Sequence, residues 1–200
     1  IPKIAAANDG GLGTIVVWQE ESSAGSGVLR AQHVLATGDV DPAWPADGAL
    51  LCNVVTARAA IGLVPDRLGG AYVWWKEGAT LYLTRAAANG AIATGWPARG
   101  RSLGAAYPTT ALPSVIEDGA NGVYAGWAST AFGSNDPVSV LLLHLGPSNA
   151  GAGGWPNTAR AAAGGDPAAT FDYWPRLALA PDGGVFVAWA SWSLDPGTIH

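Results

Sequence analysis

Four times in this chain a Trp stands five residues after a Gly, in Gly13-Thr-Ile-Val-Val-Trp18, Gly70-Ala-Tyr-Val-Trp-Trp75, Gly122-Val-Tyr-Ala-Gly-Trp127 and Gly184-Val-Phe-Val-Ala-Trp189. An Asp precedes each Gly, by four residues at Asp9, Asp66 and Asp118 and by two at Asp182. A second mark, Trp-Pro, falls between them at Trp44-Pro45, Trp96-Pro97 and Trp155-Pro156. The Gly-anchored Trps are 57 (18 to 75), 52 (75 to 127) and 62 (127 to 189) residues apart. A chain so marked is an array of one unit, and the unit must be understood before the fold.

Each unit reads as short strands. A leading apolar run forms strand a: Pro2 to Ala6, Ile61 to Val64, Pro113 to Ile116 and Pro175 to Leu179. An Asp-Gly turn follows, with Gly taken to supply positive φ. Strand b then ends at the Trp. Strand c covers Val28 to Leu35, Thr80 to Ala87 and Val138 to Leu145, and the Trp-Pro segment reads as a short outer strand d, where Pro is tolerated. Side chains alternate along strand b. One face carries Val16 and Trp18, Val73 and Trp75, and the other carries Ile15, Tyr72, Tyr124 and Phe186. Both faces are apolar, which suits a sheet covered on both sides rather than one side of a lone sandwich. Units of 50 to 60 residues with four antiparallel strands fit β-propeller blades, so the expected class is all-β, with about three and a half blades present. The blades are expected at about 1–58, 59–111, 112–173 and, as a half blade, 174–200.

Charge and composition narrow the function. Charged residues make up only 12% against a usual share of about 25%, while hydrophobic residues reach 49%. A net charge of −5 with 10 Lys and Arg gives no basic face for nucleic acid. No apolar run is long enough for a membrane-spanning helix. The single Cys52 excludes an internal disulfide. The chain has no Met, and its last residues fall where a strand c is expected, so the reading favours a piece of a longer chain, with closure by a second copy as the other option.

The pattern Pro-x-Ile/Val, Asp-Gly, Gly-x-x-Val-x-Trp, a Gln/Arg-bearing strand and Trp-Pro resembles blades of bacterial secreted β-propeller repeat proteins. The stretch Arg30-Ala31-Gln32-His33-Val34 is similar to the third-strand Ala-Gln-Arg-Val of that family. The resemblance covers nearly the whole chain and implies a fold and an extracellular or cell-surface location. Ala60 stands where the second unit would have its leading Pro, so that unit departs from the pattern.

Candidate chemistry follows the repeat. His33, Arg85 and His144 each lie 11 residues before the Trp of a Trp-Pro pair, so they are one position on three blades. Such a position reads as hydrogen-bonding or solvent-facing, and if it binds anything, as a site for a repeated polyol or peptide; one shared metal ion is out of reach. The Asp residues before Gly read as turn formers rather than Ca²⁺ ligands, because the loops lack multi-carboxylate spacing. No metal or cofactor is expected. Trp74, Trp174 and Trp192 break the repeat and are the expected exposed aromatic platforms for sugar rings. Glu20, Glu21, Glu77 and Glu117 stay open as paired carboxylates, with Glu20 and Glu77 each two residues after a strand-b Trp. No Ser-x-Asp-x-Gly-x-Thr-Trp box or other catalytic motif occurs. The expectation is therefore a non-catalytic binding or adhesion module of a larger secreted or cell-surface protein, meeting a carbohydrate or protein ligand at the blade rims. A structural or surface-layer propeller and a sialidase-like glycoside hydrolase are the alternatives.

Overall fold

The computed structural model describes residues 4–21, 27–54, 60–106, 112–130, 138–162 and 169–193. Among them every regular element is a strand. In chain order these are β1 (Ile4–Asn8), β2 (Thr14–Glu21), β3 (Gly27–Val34), β4 (Ala49–Val54), β5 (Ala60–Pro65), β6 (Ala71–Glu77), β7 (Thr80–Ala86), β8 (Arg101–Ala105), β9 (Ser114–Glu117), β10 (Val123–Thr130), β11 (Val138–Leu145), β12 (Arg160–Ala161), β13 (Ala169–Leu179) and β14 (Val185–Ser193). They form four-stranded antiparallel sheets in the order β1-β2-β3-β4 and β5-β6-β7-β8; β9, β10, β11 and β12 pair in the same succession. These are the blades of a β-propeller fold. The chain divides into two compact units, Ile1–Leu103 with Pro147–Asn149, and Gly104–Gly146 with Ala150–His200.

In the first unit, pairing fixes which side chains share a face. Ile4 opposes Trp18 and Ala6 opposes Val16, just as Ile61 opposes Trp75 and Leu63 opposes Val73. The Trp75 face of β5–β8 and the opposite, Ile15 face of β1–β4 share one core: Ile15, Val17, Leu29 and Leu51 lie in one cluster with Ile61, Val73 and Trp75. Trp75 is fully buried and stacks on Tyr82 at 5.4 Å. A buried aromatic of this size contributes about 3–5 kcal/mol by the cost of its truncation. The repeated Trp is thus a wedge between neighbouring blades here, and β6 is buried on both faces from Ala71 to Lys76.

In the second unit, β13 makes one parallel pairing with β11, at Val138 and Phe171, and then a long antiparallel hairpin with β14. The register shifts between Tyr173 and Arg176, where Trp174 has φ 53°. Beyond that break, the Leu177 N–H donates to Ser114 Oγ at 3.0 Å, and Leu177 lies against Gly126.

Several local expectations need correction. Strand b does not end at its Trp; β2 and β6 run on to Glu21 and Glu77. The fourth leading strand starts at Ala169, not Pro175. The second repeat forms β5 from Ala60 without a leading Pro, because cross-strand pairing with β6 supplies the register. The Trp-Pro segments are turns, not outer strands. The Gly48 N–H donates to the Pro45 carbonyl at 2.9 Å and that of Gly100 to Pro97 at 2.8 Å, and β4 and β8 begin immediately after these glycines. Both glycines have positive φ, 82° and 73°, and each sits against the indole of its own blade, Trp18 or Trp75, where a Cβ would collide.

Candidate functional site

The Asp-to-Gly turn between strands a and b is one hydrogen-bonded device used three times. Asp9, Asp66 and Asp118 donate their backbone N–H to the carbonyl of Gly13, Gly70 and Gly122 at 3.0–3.2 Å. Each carboxylate Oδ1 accepts two backbone N–H groups, from Gly11 and Gly13, Leu68 and Gly70, and Ala120 and Gly122. Each Oδ2 meets the strand-c residue of its own blade: His33 Nε2 at 2.9 Å, Arg85 Nη2 at 2.7 Å and His144 Nε2 at 2.8 Å. The anchoring Gly is needed for close approach, not for its φ. A Cβ on Gly13 would stand 2.5 Å from Asp9 Oδ2 and 2.7 Å from the Val34 carbonyl, and one on Gly122 would stand 2.6 Å from that of Leu145. The fourth unit lacks the device. Ala180 occupies the Asp position, and Asp182 accepts from Gly184 at 3.0 Å.

The three copies differ in what else their strand-c residue touches. His33 Nδ1 also meets Asp41 Oδ2 at 2.8 Å, so its ring lies between two carboxylates. Burial by itself pushes the His33 imidazole down, but the hydrogen bonds and charges of Asp9 and Asp41 outweigh it and raise the ring above its usual value. The hydrogen bond from His33 holds Asp9 low. Asp41 is held low first by the Ala43 N–H and then by His33. Burial pushes Asp118 up, yet His144 and the Ala120 and Gly122 N–H groups leave it below the usual carboxylate range. The position of Asp41 is Ala93 in the second blade and Ala152 in the third, each bonded back to its strand-c residue. His144 Nδ1 is consequently buried without a hydrogen-bond partner among the described residues, its ring stacked on Tyr124 at 3.9 Å. These clasps fill both oxygens of each Asp and bury His33, Arg85 and His144 against them, which places that repeated position inside the blade rather than facing solvent.

The other end of the blades carries paired carboxylates. Trp18 Nε1 donates to Glu20 Oε1 and Trp75 Nε1 to Glu77 Oε1, both at 3.1 Å. Arg30 Nε holds Glu20 Oε2 at 3.0 Å, and Arg99 Nη2 holds Glu77 Oε2 at 3.2 Å. The Trp18 indole, with Arg30 next, keeps the Glu20 carboxyl low. The Glu77 side chain is only 8% exposed. By strand alternation Gln19 and Glu21 continue the Ile15 face while Glu77 continues the Trp75 face, and these two faces share a core in the first unit. Glu21 and Glu77 therefore belong to the same end of one inter-blade seam. Cys52, also buried there, has its thiol pushed up to about 12 by burial and by the Glu77 charge. Lys76 is buried on the opposite face of β6, and burial lowers its ammonium.

The three sequence-nominated Trps part ways. Trp74 is not an exposed platform: it is 9% exposed, its indole lying over Gly62, where a Cβ would clash with it. Trp174 is 51% exposed at the β13 break. Trp192 falls in β14, and its side chain lies outside the described residues. The Trp-x-Glu spacing was visible in the sequence, but the Arg partners were not, because Arg30 and Arg99 come from different places in their repeats. Glu117 ends β9 beside the Asp118 turn, away from the Glu20 and Glu77 edge of its own repeat.

No protein-family profile and no curated protein sequence matches this chain. Among solved structures it is similar to an exo-1,5-alpha-L-arabinanase from a bovine ruminal metagenomic library, with 12% identity over 94% of this chain and 68% of that one, at a TM-score of 0.41. That structure is an enzyme's, where the expectation was a non-catalytic binding or adhesion module with a glycoside hydrolase as an alternative. No residue role is carried over from it.

Proposed function

We propose that this chain is the propeller module of a glycoside hydrolase, with its chemistry at the seam where β2 and β6 end. The observation that supports this reading is the Glu77 carboxylate, buried, pinned by an indole N–H and a guanidinium, and sharing its end of the seam with Glu21. Glycosidic cleavage uses two carboxyl groups flanking the bond, one holding charge and one moving a proton. Glu77 suits the fixed role, because its oxygens are oriented before substrate arrives. Glu21, exposed at the strand end, suits proton transfer. An extracellular or cell-surface setting and membership among secreted bacterial propeller repeat proteins belong to the same proposal, since polymeric glycans are met outside the cell.

The test is turnover of aryl glycosides and of linear α-1,5-arabinan by the intact chain and by Glu77→Gln and Glu21→Gln. Each substitution is expected to lower kcat by about 10²-fold or more, Glu21→Gln with an unchanged melting temperature and Glu77→Gln with a somewhat lower one, because it removes the charge paired with Arg99. Absence of turnover on the whole panel, or full activity in Glu77→Gln, contradicts the proposal.

A further inference from the structure

Two sheet faces in this chain are apolar and open, and they are opposite halves of an interface that the first unit already contains. Within that unit the Trp75 face of β5–β8 buries against the Ile15 face of β1–β4. The other face of β1–β4 is of the Trp75 kind: Ile4, Val16 and Trp18 hold the register of Ile61, Val73 and Trp75. Yet Ile4 is 60% exposed, and Leu50 beside Arg30 on that face is 50% exposed. The β13–β14 hairpin shows the reverse. Its Trp189 side is partly covered, while Phe186, which stands two residues after its Gly as Ile15 does, is 63% exposed. Ala178 and Ala188 continue that open face, with Arg176 opposite Ala188 at its edge.

We propose that copies of this chain associate head to tail, the Trp18 face of one copy seating on the Phe186 face of the next. The occupant follows from the interface inside the first unit, where a face carrying an aliphatic–Trp pair is covered by a face carrying the residue at the Ile15 position. The two open faces are unlike each other, so the contact is heterologous rather than a two-fold pairing of like patches. Apolar side chains left this open on a folded monomer mark an interaction surface. The charges next to Trp18 do not oppose it, because Glu20 and Arg30 neutralise one another at 3.0 Å.

Sedimentation velocity and light scattering on the 200-residue chain across a hundredfold concentration range test this, with Ile4→Lys and Phe186→Asp as variants. Both residues are exposed, so unchanged circular dichroism is the folding control. The wild type is expected to associate with concentration and each variant to remain monomeric. An equimolar mixture of the two variants is expected to form a 1:1 dimer, because one intact face of each kind remains. A wild type that stays monomeric throughout overturns the proposal, and so would leave the faces to sheets from elsewhere. Association that survives either substitution, or variants that fail to complement each other, overturns it too.

Discussion

Replacing Asp66 by Ala attacks the most buried of the three carboxylate clasps. The Asp66 side chain is fully buried, its Oδ1 accepts the Leu68 and Gly70 N–H groups at 2.8 Å, and its Oδ2 faces Arg85, whose side chain is 11% exposed. Removing one partner of a buried ion pair costs about 3–5 kcal/mol, because the remaining charge has no compensation. The abandoned Gly70 N–H adds about 1 kcal/mol or more. The expected loss is therefore about 4–6 kcal/mol, comparable with the whole stability of a marginal domain. Urea unfolding followed by Trp fluorescence at pH 7 reads it. Asp66→Asn, which keeps an acceptor for both N–H groups, should lose about half as much. Arg85→Leu in the Asp66→Ala background should recover part of the loss, a coupling that a double-mutant cycle isolates. Asp182→Ala, at an exposed turn with one N–H bond, should cost under about 1 kcal/mol. A loss below about 1 kcal/mol in Asp66→Ala, or equal losses in Asp66→Ala and Asp182→Ala, would refute the idea that the carboxylate organises the blade.

Other consequences follow from the same geometry. The raised His33 contributes stability in full below its unfolded value near 6.5 and loses it as pH rises through its higher folded value. The depressed Asp9, Asp41 and Asp118 contribute above about 3.9 and lose it as pH falls through their lower folded values. Melting temperature should accordingly peak between about pH 4 and 6.5, and His33→Gln should flatten the alkaline side of that peak. Ala152→Asp should give His144 Nδ1 the partner that Asp41 gives His33 and raise stability by about 1 kcal/mol, read by urea midpoint. Gly100→Ala should destabilise by about 2 kcal/mol or more by thermal melt, since φ 73° and the Trp75 indole both exclude a Cβ. Native Cys52, buried and with a thiol near 12, should resist an aromatic disulfide reagent at pH 8 and react once urea unfolds the chain.

How much of this was legible in the sequence depended on whether a feature repeats. Strand c emerged cleanly, because Val138 to Leu145 is a mostly apolar run broken only by Ser139 and His144, and its observed bounds are the same. The common position of His33, Arg85 and His144 was also readable, but their Asp partners lie 19 to 26 residues back, across a strand pairing that only the fold supplies. Asp41 repeats in no other blade, so nothing marked it. The Trp-Pro turns were read as strands because a Pro suits an outer edge and a turn equally well. Trp74 stands off the repeat, which suggests exposure; the missing side chain of Gly62 is what makes room for its indole. The Glu77 site was half visible, as a spacing from Trp75, while Arg99 and the shared seam with Glu21 needed the sheets to be placed side by side.

The central claim is that one Asp carboxylate clasps the start of strand b in each of three blades and is absent from the fourth. Amide hydrogen exchange at the four equivalent glycines tests it most directly. The Gly70 and Gly122 amides, buried on Asp66 and Asp118, should exchange at the rate of global unfolding, Gly13 on Asp9 more slowly than its exposed neighbours, and Gly184 fastest. Equal protection at all four, or fast exchange at Gly70 and Gly122 in the folded protein, contradicts the account.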